Sequence, residues 1–359
     1  MRVAFSEILE IKNGKNQRQV ENPKGQYPIY GSGGVMGYAN SYICGAETVV
    51  IGRKGSINNP IFVEEPFWNV DTAFGLVANR NVLLPKYLYY FCKQFDFVKL
   101  NTTVTIPSLT KANLLQIEMS LVCLEKQEEV ISVLDKITEL MAVRVQQLEE
   151  LDLLVKSRFV EMFGDMSSSQ WESKRLDEIA TTRLGKMLDA KRQTGLCTYP
   201  YLANFNVQWF GFNLERLNEM DFDEADREEF SLSEGDLLIC EGGEVGRTAI
   251  WRGNRSNCYF QKALHRVRCN SELCVPEYIA WVMYFKAHSG QFDGIASAAT
   301  IAHLPGVKLK ALMFPLPPLT LQNEFADFVR QTDKSKFEIQ QGLKQLELQY
   351  SALMQQYFG

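Results

Sequence analysis

The sequence is short of the residues that build metal and redox centres. It has three histidines (His265, His288 and His303) and eight scattered cysteines, none of them in a Cys-x-x-Cys pair. A structural zinc site needs four such ligands at close spacing, so no metal centre is expected. The cysteines read as reduced thiols. No run approaches the ~18–20 uncharged apolar residues of a membrane span. The segment Met1-Arg2-Val3-Ala4-Phe5-Ser6-Glu7 lacks the apolar stretch of a secretion signal. A cytoplasmic location without membrane attachment is the expectation. No G-x-x-x-x-G-K-[ST] loop occurs either, which excludes a nucleotide-driven motor of that type.

What is present suits large cores. The 359 residues are 46% hydrophobic and 23% charged, ordinary for two or three globular domains. The net charge of −5 hides a strong local asymmetry. Glu215 to Asp236 holds ten acidic residues against two arginines, whereas Glu241 to Arg268 holds six basic against two acidic. This pattern suggests an acidic surface beside a basic, nucleic-acid-facing one.

The chain also repeats itself. Placing Phe163-Gly164 over Phe358-Gly359 sets an offset of 195 residues, which puts Gln127 on Gln322, Leu121 on Leu316, Leu124 on Leu319 and Thr105-Ile106 on Thr300-Ile301. Upstream, Gly14-Lys15 matches Gly185-Lys186, Tyr27-Pro28 matches Tyr199-Pro200, and Leu84-Pro85-Lys86-Tyr87 matches Val275-Pro276-Glu277-Tyr278. Each copy opens with a Gly-, Asn- and aromatic-rich part carrying short β-like runs such as Thr48–Ile51 and Asp236–Ile239. Each closes with a proline-free stretch, 125–163 or 320–358, of helical periodicity. The first row is Val130, Leu134, Ile137, Met141, Arg144, Leu148, Leu151, Val155, Arg158 and Met162. The second is Phe325, Val329, Thr332, Lys336, Ile339, Leu343, Leu346, Tyr350, Leu353 and Tyr357. Helices of this length need a partner to cover the row, and each copy supplies one for the other.

The lead-in Pro315-Leu316-Pro317-Pro318-Leu319-x-x-Gln322 into a long helix, closing each of two variable halves, resembles the specificity subunit of Type I restriction–modification enzymes. The run Gly52-Arg53-Lys54-Gly55-Ser56-Ile57, the segment Asn69-x-Asp71-Thr72-Ala73 and the close Phe163-Gly164-Asp165 also resemble that family. The first copy departs from it, with Val122-Cys123 where the second has Pro317-Pro318.

The resemblance implies an α+β fold with two target-recognition domains and two long antiparallel helices as a coiled-coil-like spacer, a pseudo-two-fold duplication. The expected parts are residues 1–120, helix 121–164, linker 165–170, residues 171–315 and helix 316–359. It implies a subunit that reads a bipartite, asymmetric site in double-stranded DNA. It implies docking of two methyltransferase subunits and, through the complex, of restriction/motor subunits. S-adenosylmethionine, ATP and Mg would belong to those partners, with no cofactor in this chain.

The residues agree that the chain lacks catalysis of its own. Asn59-Pro60-Ile61-Phe62 lacks the second proline of an amino-methyltransferase loop, and Gly31-Ser32-Gly33-Gly34 is only a glycine-rich turn. Glu-x-Lys at Glu10/Lys12 and Glu172/Lys174 has no preceding Pro-Asp. DNA reading needs cationic and amide side chains on loops whose backbone can approach phosphates. The candidates are Lys15, Arg18, Ser32, Arg53, Lys54 and Ser56 in the first half, and Lys186, Asn204, Asn206, Gln208, Arg247, Gln261 and Lys262 in the second. A coiled-coil scaffold would explain the helices but not two dissimilar globular halves. An enzyme of unrecognised chemistry would need a constellation that the sequence does not display.

Overall fold

Short β-branched runs separated by glycine turns fold into small sheets, antiparallel except for one parallel pair in each unit, and the four-stranded sheet of each unit is covered by helices that begin at the repeated Leu/Val-Pro and Gln positions. The computed structural model describes residues 1–100, 108–164, 170–189, 193–253, 255–292 and 303–359. The chain divides into two units, Met1–Gln147 with Ile339–Gly359, and Leu148–Glu338. The repeat matches Thr105-Ile106 and Thr300-Ile301, and most of the expected 165–170 linker, lie outside the described residues.

The first unit runs β1 (Arg2–Ala4), α1 (Phe5–Ile8), β2 (Leu9–Asn13), β3 (Tyr27–Gly31), β4 (Gly34–Ala39), β5 (Thr48–Gly52), β6 (Ile61–Val63), β7 (Trp68–Asn69), β8 (Ala73–Ala78), α2 (Pro85–Gln94), α3 (Lys111–Leu115) and β9 (Glu118–Ser120) into α4 (Leu124–Phe163). Its sheets have the orders β2-β8-β5-β6, β4-β3-β7 and β1-β9.

The second unit runs β10 (Ser173–Arg175), α5 (Leu176–Ile179), β11 (Ala180–Leu184), β12 (Thr198–Leu202), β13 (Val207–Gln208), β14 (Gly211–Phe212), β15 (Asn218–Asp221), α6 (Glu224–Glu229), β16 (Leu237–Cys240), β17 (Thr248–Ile250), β18 (Tyr259–Phe260), β19 (Leu264–Cys269), α7 (Pro276–His288), α8 (Gly306–Lys310) and β20 (Met313–Pro315) into α9 (Leu319–Phe358). Its orders β11-β19-β16-β17, β15-β12-β18 and β10-β20 repeat those of the first unit, with the hairpin β13-β14 added.

The repeat extends to single hydrogen bonds. Gln127 is fully buried; its Oε1 accepts from Leu84 N, while its Nε2 donates to the Val82 and Val122 carbonyls. Gln322, equally buried, does the same with Val275 N and the Leu273 and Pro317 carbonyls. One amide thus serves three main-chain groups at each helix start, including a carbonyl just ahead of it. Pro85 and Pro276 stand at the first turns of α2 and α7, where no amide donor is needed. Phe163 meets the Tyr278 ring at 4.8 Å, and Phe358 meets Tyr87 at 5.0 Å, both edge-on.

Each unit is built on the start of one long helix and the end of the other. In the first, Val130 and Leu134 of α4 and Met354 of α9 enter the core formed by Phe5, Ile11, Ile51, Leu76 and Leu88. In the second, Val155, Phe159 and Phe163 of α4 join Phe325 and Val329 of α9 over Leu176, Leu237, Val267 and Tyr278. The ion pairs Lys336–Asp152 and Arg158–Glu324 link rising numbers on α4 to falling ones on α9, so the two helical segments run antiparallel. Every position of both rows read from the sequence is buried or half-buried. At ~1.5 Å per residue each 40-residue helix is about 60 Å long.

Candidate nucleic-acid interface

In the first unit three loops converge on the segment 69–73. Lys15 N donates to Asn69 O (2.8 Å), Val70 N to Tyr30 O (3.0 Å) and Arg53 N to Thr72 O (2.7 Å). A Cβ on Gly14 would stand 1.7 Å from Val70 O, which explains the glycine. The half-buried Ser32 packs its Cβ against Gly52. Around this knot Lys15, Arg18, Arg53, Lys54 and Ser56 are exposed. Among the described residues the four cations have no ion pair. Arg53 lies 5.9 Å from the Phe74 ring centre, and its Nη1 donates to Asp71 O. The structure therefore brings Lys15, Ser32, Arg53, Lys54 and Ser56 together around one cationic surface, with Arg18 exposed three residues beyond Lys15.

The second unit repeats the convergence with different chemistry. A Cβ on Gly185 would stand 2.3 Å from Gln261 O. Lys186 N donates to Phe260 O, Lys262 N to Lys186 O and Glu241 N to Ala263 O. Three expected contact residues are instead structural. Asn206 is 1% exposed, and its side chain is consumed by Ala203 N and the Asn213 and Arg216 carbonyls. Lys186 is neutralised by Asp226, bonds Asp221 O and lies 5.0 Å from the centre of the Phe222 ring. Arg247 spends its guanidinium on Glu244 and Asn204 O, leaving its side chain 16% exposed. Gln261 is half-buried, with Oε1 holding Ala263 N (2.7 Å). Asn204 is half-buried, Gln208 is exposed and bonds Phe205 O, and Lys262 is exposed.

The expected basic surface of residues 241–268 is corrected as well. The acidic run takes up one of its charges, Arg268 with Asp236, and holds Arg266 through the Glu229 and Ser231 carbonyls, while Arg247 and Arg252 pair with Glu244 and Glu277 and Lys262 stays exposed. Arg183, on the neighbouring strand, pairs with Glu229. Adjacency in sequence became ion pairing between packed elements, because β19 lies between β11 and β16. What sequence reasoning missed is the apolar character left at the surface. Leu184, Met187, Leu188 and Leu196 are exposed in the second unit, as are Val35, Met36 and Tyr38 in the first. Alternating apolar residues beside glycine read equally well as a buried strand, so the sequence held no clear signal.

Asp221 organises the loop beside β12. It accepts from Thr194 N and Oγ1, Gly195 N and Thr198 Oγ1. Thr194, donating from both side chain and backbone, leads in holding the carboxyl down at about 2. A folded value below the unfolded ~3.9 gives stability that is present above pH ~4 and lost as pH falls toward 2. The difference in urea midpoint between the native chain and Asp221→Ala should be constant above pH 5 and shrink from pH 4 to pH 2. A difference that stayed flat to pH 2 would refute this account. Burial pushes the Cys44, Cys240 and Cys258 thiols up to about 11, so they stay protonated at neutral pH. Among the described residues no group of three or more His, Cys, Asp or Glu could hold a metal ion, and no helix is long and apolar enough to cross a membrane.

Comparison with known proteins bears on this arrangement. The family model described as "Type I restriction modification DNA specificity domain" matches residues 1–153 and again 168–348. A putative type I restriction enzyme specificity subunit of Haemophilus influenzae is 24% identical over 352 residues, 94% of this chain and 89% of that protein. The crystal structure of a Type-I restriction-modification system S subunit from M. genitalium superposes with a TM-score of 0.67 at 14% identity, covering 100% of this chain and 96% of that one. A chain from a type I R-M system studied for complex assembly and conformational transition gives 0.62 at 15% identity, covering 100% and 97%.

Proposed function

This chain belongs to the Type I restriction–modification DNA specificity family, and from that premise we propose that its two units read the two halves of an asymmetric, bipartite site. One observation carries the asymmetry. Leu109 N donates to Arg53 O and Leu304 N to Glu241 O, at the same step of the repeat. One unit thus presents an exposed cation where the other presents a half-buried carboxylate. Unlike donor and acceptor sets select unlike bases. Methylation mapping in cells expressing the chain with its methyltransferase tests this, and a palindromic site would sink it.

Further parts of the reading rest on the family and the duplication. The chain supplies specificity and no catalysis. Two methyltransferase subunits dock on its two similar surfaces, and restriction/motor subunits join through the complex. S-adenosylmethionine, ATP and Mg bind those partners, and the assembly works on cytoplasmic DNA. Native mass spectrometry that saturated at one methyltransferase per chain would contradict the stoichiometry.

Arg53 and Arg247 separate contact from support. Arg53→Ala should weaken duplex binding by about 1–3 kcal/mol if it reads a base edge, with little change in unfolding. Arg247→Ala should cost stability, about 1–2 kcal/mol, by freeing Glu244 and Asn204 O from their donor. Anisotropy titrations beside urea unfolding measure both; the opposite pattern would reverse these roles.

A further inference from the structure

The first unit leaves an unprotected sheet edge that its own repeat protects. Strand β4, Gly-Val-Met-Gly-Tyr-Ala, carries no charge and lies at the edge of the sheet β4-β3-β7. Val35 is 53% exposed, Met36 63% and Tyr38 47%. Near its far end the outer edge is closed, since Asn22 N donates to Tyr38 O and Asn40 N to Val20 O. Over residues 34–37, where β3 pairs along the inner edge, no strand pairs along the outer one among the described residues. Such an edge invites pairing and is normally blunted by charge. The second unit does this: the corresponding outer strand β15 reads Asn-Glu-Met-Asp, and its Met220 and Asp221 are buried.

We propose that the β3–β4 hairpin of the first unit is an apolar DNA-contacting ribbon, with Val35 and Met36 meeting base edges in the major groove. The inference rests on the reading of this chain as a DNA-specificity subunit, and it names the neutral contact surface of that site. A two-stranded ribbon fits the ~12 Å major groove, where the thymine methyl offers an apolar contact. Charge complementarity selects the occupant. The hairpin turn Ser32-Gly33 abuts Gly52, so the tip stands beside Arg53 and Lys54. Met36 folds over Gly31 toward Val70, in the segment that also holds Lys15. Asp71 is the exposed carboxylate beside the tip, while Glu21 lies against Gly37 toward the far end of β4 and Glu65 acts on Tyr30. Cations on neighbouring loops would hold phosphates on either side of the apolar tip.

The test uses the full chain, alone and with its methyltransferase, and a 40-bp duplex carrying the site mapped by methylation. Val35→Ser with Met36→Ser should lower affinity at least tenfold at every salt concentration. The salt dependence should stay unchanged, because no charge is altered. Lys15→Ala with Lys54→Ala should instead flatten the log–log salt slope by about 2, at roughly 0.9 per phosphate contact. Amide hydrogen exchange of residues 34–37 should slow when the duplex is added. Affinity within twofold of native for the serine variant overturns the ribbon, as does protection that appears only with added methyltransferase or at higher chain concentration. A native chain that bound no duplex in either assembly would overturn the parent reading as well.

Discussion

Gln322→Leu is expected to destabilise the second unit by about 3–5 kcal/mol. The leucine fills most of the volume but leaves Val275 N–H and the Leu273 and Pro317 carbonyls without their partner. Each buried main-chain group stripped of its hydrogen bond costs roughly 1–3 kcal/mol, and partial rearrangement recovers some of the total. That is a large share of the ~5–15 kcal/mol that holds a typical protein folded. At roughly 3 °C per kcal/mol for a unit of this size, the melting midpoint should fall by about 10 °C. Gln322→Glu should be no better, since it keeps the acceptor but loses both donors and brings a charge into a closed site. Asn323→Ala is the control, because Asn323 is exposed and donates only to Leu319 O; it should stay within about 0.5 kcal/mol. Calorimetry that found Gln322→Leu and Asn323→Ala alike would remove the glutamine from its bracing role. Gln127→Leu repeats the experiment in the first unit.

These glutamines show what could be read from sequence and what could not. The offset of 195 aligned them, and every position of the two heptad rows is covered, because helical burial follows a period that sequence displays directly, although buried neighbours such as Phe159 and Met354 lie outside the rows. The partners of Gln127 and Gln322 could not be read, since Val82 and Leu273 lie 45 and 49 residues away along the chain. The same limit governed the candidate contacts. A glycine beside a cation does mark a loop that approaches another backbone, as at Gly14-Lys15 and Gly185-Lys186, but not whether the cation stays exposed, as Lys15 does, or is paired, as Lys186 is. Asn206, Lys186 and Arg247 were misread, because an amide or a cation on a loop serves a turn as readily as a base. The acidic run that consumes Arg183 and Arg268 is visible in the sequence, but its pairing with them depends on strand order.

Lengthening both long helices by one heptad should change the spacing of the recognised site and leave its bases unchanged. The boundary between the two units falls at Gln147 in α4 and at Glu338 in α9. The insertions therefore belong after those two residues, where both helices cross it and the antiparallel segments remain in step. Seven residues add about 10.5 Å to a helix and shift the apolar row by only ~20°. At roughly 3.4 Å per base pair, up to about three base pairs are added to the unread gap. The added pairs also rotate one half-site about the DNA axis, and bending or untwisting must absorb that rotation. Methylation activity should therefore fall even where the geometry is met. The readout is the spacing of the residual methylated sites, with circular dichroism confirming that both helices persist. Unchanged bases across a wider gap would show that α4 and α9 set the spacing. An unchanged gap in a folded variant would mean that the units find their half-sites independently of helix length.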